Sequence, residues 1–261
     1  MRSNRPKHRR STCGRARHAV LGAFLAIASI LGSYAAHAAE DDVEVAMSLA
    51  DLLRGARTVI SANQSKINDA NLGDKGLGGD VVVKSAIANT MKASATDPGK
   101  VDPASRKGRL LAAMTAAIEE VMTASQDLIN QRGVGFKGFV PAVFGRLVTE
   151  QFKIDAKGEA EIKVTAPPEL VRNRKASPDE LETEVIRTKF LAADWPKGQI
   201  YSLSTTVKGR SATRVLVPEN YGAACLSCHG DPKGEIDITG YPKEGAKQGD
   251  LGGVISITLY R

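Results

Sequence analysis

The chain has 261 residues, is 42% apolar and carries a formal charge of +7, long enough for one or two cored domains. The excess charge sits at one end: residues 1–38 hold seven of the 36 basic side chains (Arg2, Arg5, Lys7, Arg9, Arg10, Arg15 and Arg17) and no acid, leaving 29 basic against 29 acidic residues in the remainder. A neutral remainder excludes a nucleic-acid or anionic-membrane binder that works through net charge.

The basic stretch MRSNRPKHRRSTCGRARH (1–18) runs into the apolar AVLGAFLAIASIL (19–31) and then Ala36-His37-Ala38. A basic region, a short apolar core and a small-x-small end form a secretory signal peptide, here 1–38. The apolar run is shorter than the roughly 20 residues of a membrane span, so no stable anchor is expected after cleavage, and the expected compartment is the periplasm. Cleavage removes Cys13, His8, His18 and His37, so that Cys225, Cys228 and His229 are the only cysteines and histidine of residues 39–261.

Residues 39–261 are expected to form one domain. In its first part, about 42–152, Val45, Leu49, Leu52, Leu53, Ala56, Val59, Ile60 and Ile67 recur at spacings of three and four, which predicts a helix over 42–68. A second helix is predicted over 81–94 and a third over 106–130, with Ser105 as its cap; Pro141 opens a fourth, PAVFGRLVTEQF. VISANQSKINDANLGDKGL (59–77) and VMTASQDLINQRGVGFKGF (121–139) align without gaps at an offset of 62, each a helix ending in a Gly-x-Lys-Gly loop. The repeat predicts a paired helical hairpin, with glycines where the chain reverses.

From about 153 the pattern changes to α+β. EAEIKVTA (159–166) alternates as a strand, and 177–192 predicts a helix with Ser177 as N-cap, Pro178 at its first position and Glu180 closing a capping box. QIYSLSTTV and ATRVLVPE predict a β-hairpin across KGRS, and LGGVISITLY (251–260) a closing strand. The fold expected is α+β, a helical N-terminal half packed on an antiparallel sheet.

Between the hairpin and the closing strand lies CLSCHG (225–230). C-x-x-C-H is the pattern of covalent haem attachment: two cysteines three apart reach the two vinyl groups of one porphyrin edge, and the adjacent His229 reaches the iron. The other ring nitrogen of His229 is expected to donate to a backbone carbonyl. A zinc site would need further ligands such as Asp231 or Asp237, a redox C-x-x-C would need a thioredoxin-like βαβ pattern that is absent, and a plain disulfide leaves the histidine unexplained. Near the motif, Tyr221 and Tyr241 are candidates to pack on the porphyrin, and Arg172 and Arg174, flanking Asn173, are candidates to pair with its propionates. No Ser-His-Asp set, phosphate loop or paired-carboxylate motif is visible, so catalysis by side chains is not expected.

The stretch ACLSCHGDPKGEIDITGYPKEGAKQGDLGGVISITL, with GFVPAVFGRLVTEQF and VRNRKASPDELETEVIRTKF, resembles a bacterial c-type haem domain family with a PAS-like fold, found in extracytoplasmic sensor modules and in free-standing periplasmic proteins. The resemblance runs from about 51 to 259. It implies one covalent haem c against the PAS-like sheet (about 153–261), with Cys225 and Cys228 as thioether residues and His229 as the proximal ligand. Family members differ in the distal ligand, some resembling Met and others Cys. With no third cysteine or second histidine in 39–261, Met47, Met91, Met114 and Met122 remain among the usual strong ligands. Met122 ranks first, on the apolar face with Ile118 and Val121, and Met114 second. A Met ligand implies electron transfer with a redox partner protein. An open position implies redox or gas sensing. Because the chain ends at Arg261 without a kinase or signalling helix, sensing would act through a separate signalling partner, and a homodimer is left open.

Overall fold

The structure is a computed structural model that describes Met1, residues 41–94 and residues 96–261; the segment 1–38, expected to be a signal peptide, lies outside the described residues apart from Met1. The body from Asp42 to Arg261 is one compact unit. Its helices are α1 (41–62), α2 (Gln64–Ile67), α3 (Gly79–Ser94), α4 (Arg106–Ala124), α5 (Gln126–Ile129) and α6 (Pro141–Asp155). Strand β1 (Ala160–Thr165), α7 (Glu180–Val185), β2 (Tyr201–Val207), β3 (Arg210–Asn220), α8 (Leu226–His229) and β4 (Leu251–Tyr260) follow. The class is α+β, helices packed on a four-stranded sheet of order β1-β4-β3-β2, antiparallel throughout.

The register explains why both central strands read as nearly continuous apolar runs. Val215 faces Ile257 and Val217 faces Ile255 across β3 and β4, while Ile162 of β1 faces Ile257 from the other side. These residues share one core with Leu49, Leu53, Met114, Ile118, Phe144 and Phe152 of the helices. Leu216 and Val254, on the opposite face, pack with Val185 and Ile186 below α7. Period-two alternation thus divides the two central strands between two apolar layers.

Local signals set most boundaries. The Ser105 hydroxyl accepts from Gly108 N at 3.0 Å at the start of α4, and Pro141 occupies the first turn of α6. Lys208 and Gly209, with φ of 52° and 77°, form the two-residue reversal between β2 and β3, the backbone that a twisted hairpin requires. Two expectations are corrected. The helices predicted over 42–68 and 106–130 each break, at Asn63 and at Ser125. The cap of α7 is Asp179, which accepts from Glu182 N at 2.9 Å while Glu182 returns a carboxylate to Asp179 N at 2.8 Å. The capping box therefore lies two residues beyond Ser177. Glu182 must stand at its third position because it is buried against Lys163 (2.6 Å) and Arg214 (2.8 Å). Helix α7 then widens into a π-helical turn, Ile186–Phe190.

The internal repeat is a physical pair. The breaks at 63 and 125 are themselves 62 residues apart. Asn68 Oδ1 accepts from Lys137 N at 3.1 Å, and Asn130 Oδ1 accepts from Lys75 N at 2.9 Å. Gln64 donates to Phe139 O (3.0 Å) and Gln126 to Leu77 O (3.1 Å). Each loop turns through a glycine of positive φ, Gly76 at 60° and Gly138 at 67°. Lys75 and Lys137 are buried, their ammonium groups donating to loop carbonyls, Asp69 O and Leu72 O for one and Val134 O for the other. Burial pushes the Lys75 ammonium below its ordinary pKa, with Lys137 adding to the effect.

Candidate functional site

The chain leaves the sheet at the end of β3, where Asn220 pairs with Leu251 and Glu219 with Gly253, so that Gly252 is an extra residue of β4. A Cβ at Gly252 would lie 2.6 Å from Cζ of Tyr221, so the ring rests directly on the glycine. Tyr221 N donates to Asp250 O and Gly249 N donates to Tyr221 O, each at 2.8 Å, extending the pairing one step past the strand. Residues Ala223–Cys225 then form a 3-10 turn that passes into α8, Leu226–His229.

On this short helical turn Cys225, Cys228 and His229 stand at i, i+3 and i+4, the spacing that puts side chains on one face. Both cysteines are free thiols, Cys225 exposed and Cys228 half-buried. His229 is positioned from two sides. The Tyr221 ring stacks on the imidazole, centroids 4.8 Å apart at 26°. Glu244 Oε2 lies 2.8 Å from Nδ1, with Tyr221 Oη further away at 3.3 Å. Nδ1–H therefore donates to a carboxylate and not to the backbone carbonyl expected from the sequence. Nε2 has no hydrogen-bond partner among the described residues. Burial, and next to it the Glu244 carboxylate, pushes the Tyr221 phenol up to about 12, so it stays protonated.

Glu244 had no sequence signal, because the loop that carries it folds back through long-range contacts. Ala246 N donates to His229 O at 2.8 Å and Gly245 N to Gly230 O at 3.2 Å, setting Glu244 opposite the imidazole. Arg172, 72 residues earlier, grips the Glu244 carboxylate through Nε (3.0 Å) and Nη2 (3.1 Å). Its Nη1 donates to Asp237 at 2.6 Å and its Nη2 also to Cys228 O at 3.0 Å. Burial alone would raise the Asp237 pKa. The Thr239 hydroxyl and the Arg172 guanidinium outweigh it and hold the carboxyl well below the usual range. The side chains Asp237, Arg172, Glu244 and His229 form one connected polar chain from the loop interior to the imidazole.

Residues 36–259 match the Tll0287-like family. The chain belongs to that family. No curated protein and no solved structure gives a significant match.

Within this Tll0287-like chain the remaining predicted site residues are placed as follows. Arg172 and Tyr241 are at the motif: the Tyr241 hydroxyl donates to Arg172 O at 3.2 Å and the guanidinium lies 5.3 Å from the ring centroid. Every guanidinium nitrogen of Arg172 is already engaged by Glu244, Asp237 or Cys228, which leaves it anchoring the loop. Arg174 is exposed on a 3-10 turn capped by Asn173. Met114 and Met122 belong to the main apolar core. Both have no exposed surface and are closed in the core between the helices and the sheet, where flexible thioethers fill gaps. Met47 packs partly buried against that core and Met91 is exposed. Among the described residues, no group of three or more His, Cys, Asp or Glu is arranged to hold a metal ion by protein ligands alone, and no helix is long and apolar enough to cross a membrane.

Proposed function

We propose that this chain is an exported, periplasmic monohaem c-type protein that transfers electrons to or from a redox partner. Cys225 and Cys228 form the thioethers and His229 Nε2 binds the iron. The observation that carries this reading is the single turn of α8, which places two free thiols and one imidazole on a common face with Nδ1 engaged and Nε2 left open. A zinc reading needs a further protein ligand and a thioredoxin-like reading needs parallel βαβ strands, and the described residues supply neither; a plain disulfide leaves His229 unexplained. When bound, the haem supplies a one-electron iron couple. The chain's own residues hold the imidazole, through Glu244 and Tyr221, and fix the loop, through Arg172 and Asp237.

A PAS-like reading of the sheet is supported by its closing strand, which runs between β1 and β3 and carries Tyr221 and hence His229 on Gly252. The burial of Met114 and Met122 favours a second reading. With those thioethers committed to the core, they would not supply a ligand opposite His229 when haem is bound, and a weakly held position there would suit redox or gas sensing through a signalling partner. Expression with a c-type haem attachment system, followed by mass spectrometry of the denatured chain, tests attachment; one covalent haem is expected and none sinks the proposal. Ferrous spectra with and without CO then separate the readings, since a full shift with CO sinks simple electron transfer.

A further inference from the structure

We propose that Glu244 is the positioning residue of the iron-binding imidazole: it fixes His229 with the proton on Nδ1, so that Nε2 presents its lone pair, and it lowers the reduction potential of the bound iron. The inference rests on the haem reading above and names a residue outside C-x-x-C-H. The contact is built from both sides. Backbone bonds from Ala246 N to His229 O and from Gly245 N to Gly230 O bring the two segments into register, and the Arg172 fork orients the carboxylate so that Oε2 meets Nδ1 at 2.8 Å. A carboxylate accepting from the far nitrogen of a metal-binding imidazole makes the near nitrogen a stronger donor. A stronger donor stabilises ferric iron relative to ferrous, which lowers the potential. Arg172 shares the carboxylate, so the full strength of a lone carboxylate is not delivered. A purely structural Glu244 would instead serve only to hold Arg172.

The test uses Glu244→Gln, which keeps the shape and removes the charge, and Glu244→Asp, which keeps the charge. In potentiometric titration of the haem-loaded full chain, Glu244→Gln shifts the midpoint upward with haem content and spectrum retained, and Glu244→Asp returns it toward the wild-type value. An unchanged midpoint in Glu244→Gln overturns the tuning role, even where its melting temperature falls. A second arm needs no haem. In the Cys225→Ala/Cys228→Ala chain, nitrogen NMR of the neutral His229 ring shows the proton on Nδ1, and adding Glu244→Gln gives a mixture of tautomers. The same single tautomer in both overturns the positioning role. A wild-type chain without covalent haem overturns the proposed function alone, because the NMR arm is read without it.

Discussion

Two loop regions of this molecule are built on opposite principles. The paired loops of the repeat, 59–77 and 121–139, satisfy one another: neutral Asn and Gln amides cross to main-chain partners, and buried lysines close on carbonyls. The motif loop, 221–250, is held by charge, through Arg172, Asp237 and Glu244, and leaves two thiols and one ring nitrogen uncommitted. Saturation suits a structural joint, since a buried polar group without a partner costs more than a made bond returns. Uncommitted groups beside an anchored carboxylate suit a place where chemistry is added.

The sharpest way to separate the regions is to remove the thiols. Cys225→Ala/Cys228→Ala is expected to abolish covalent haem entirely, read by mass, while circular dichroism keeps the helix and sheet content. Next in size is Phe139→Ala, at the end of the second repeat unit, where the ring is 1% exposed and meets Phe144 at 5.9 Å. It should cost about 3–5 kcal/mol in urea unfolding, with His229 and its neighbours unaltered in the folded protein. Asn68→Ala strands Lys137 N and should cost about 1–3 kcal/mol, read the same way. An undiminished stability would mean that the reciprocal bonds are dispensable.

Acid supplies a smaller, directional test. Asp237 has a folded pKa below its unfolded one, so its contribution is present above the ordinary carboxylate range near about pH 4 and is lost as pH falls through the folded value. The amides that cross between the repeat loops do not titrate, and residues 130–139 of the second loop hold no carboxylate, whereas Asp69 in the first accepts from Asn71 N and Leu72 N and lies below its ordinary pKa. Hydrogen exchange in residues 231–247 should therefore accelerate on acidification before exchange in 130–139 does; simultaneous loosening would contradict the contrast.

How much could be read without coordinates follows the same division. Cys225, Cys228 and His229 were legible because they are chain neighbours, and Ser105, Pro141 and Lys208-Gly209 because each acts on its own turn. At α7 the sequence SPDELE holds two overlapping capping boxes. The choice of Asp179 over Ser177 is made by Arg214 and Lys163, which need Glu182 inside. Glu244 and Arg172 had no local signature, since their meeting depends on a loop closing across 72 residues. For Met122 the apolar helix face tells that the side chain is buried, as it is, and not which neighbours bury it.

The reciprocal bonds of the repeat also bear on the order in which the chain can fold as it emerges. When residues 59–77 leave the ribosome, Asn68 and Gln64 have no partners, because Lys137 and Phe139 follow some seventy residues later. The first loop must wait in solvent until the second arrives, and the two then close in one event. A chain stopped before residue 137 should thus carry an unformed loop that a chaperone or protease can recognise, whereas one extended past 139 should hide it.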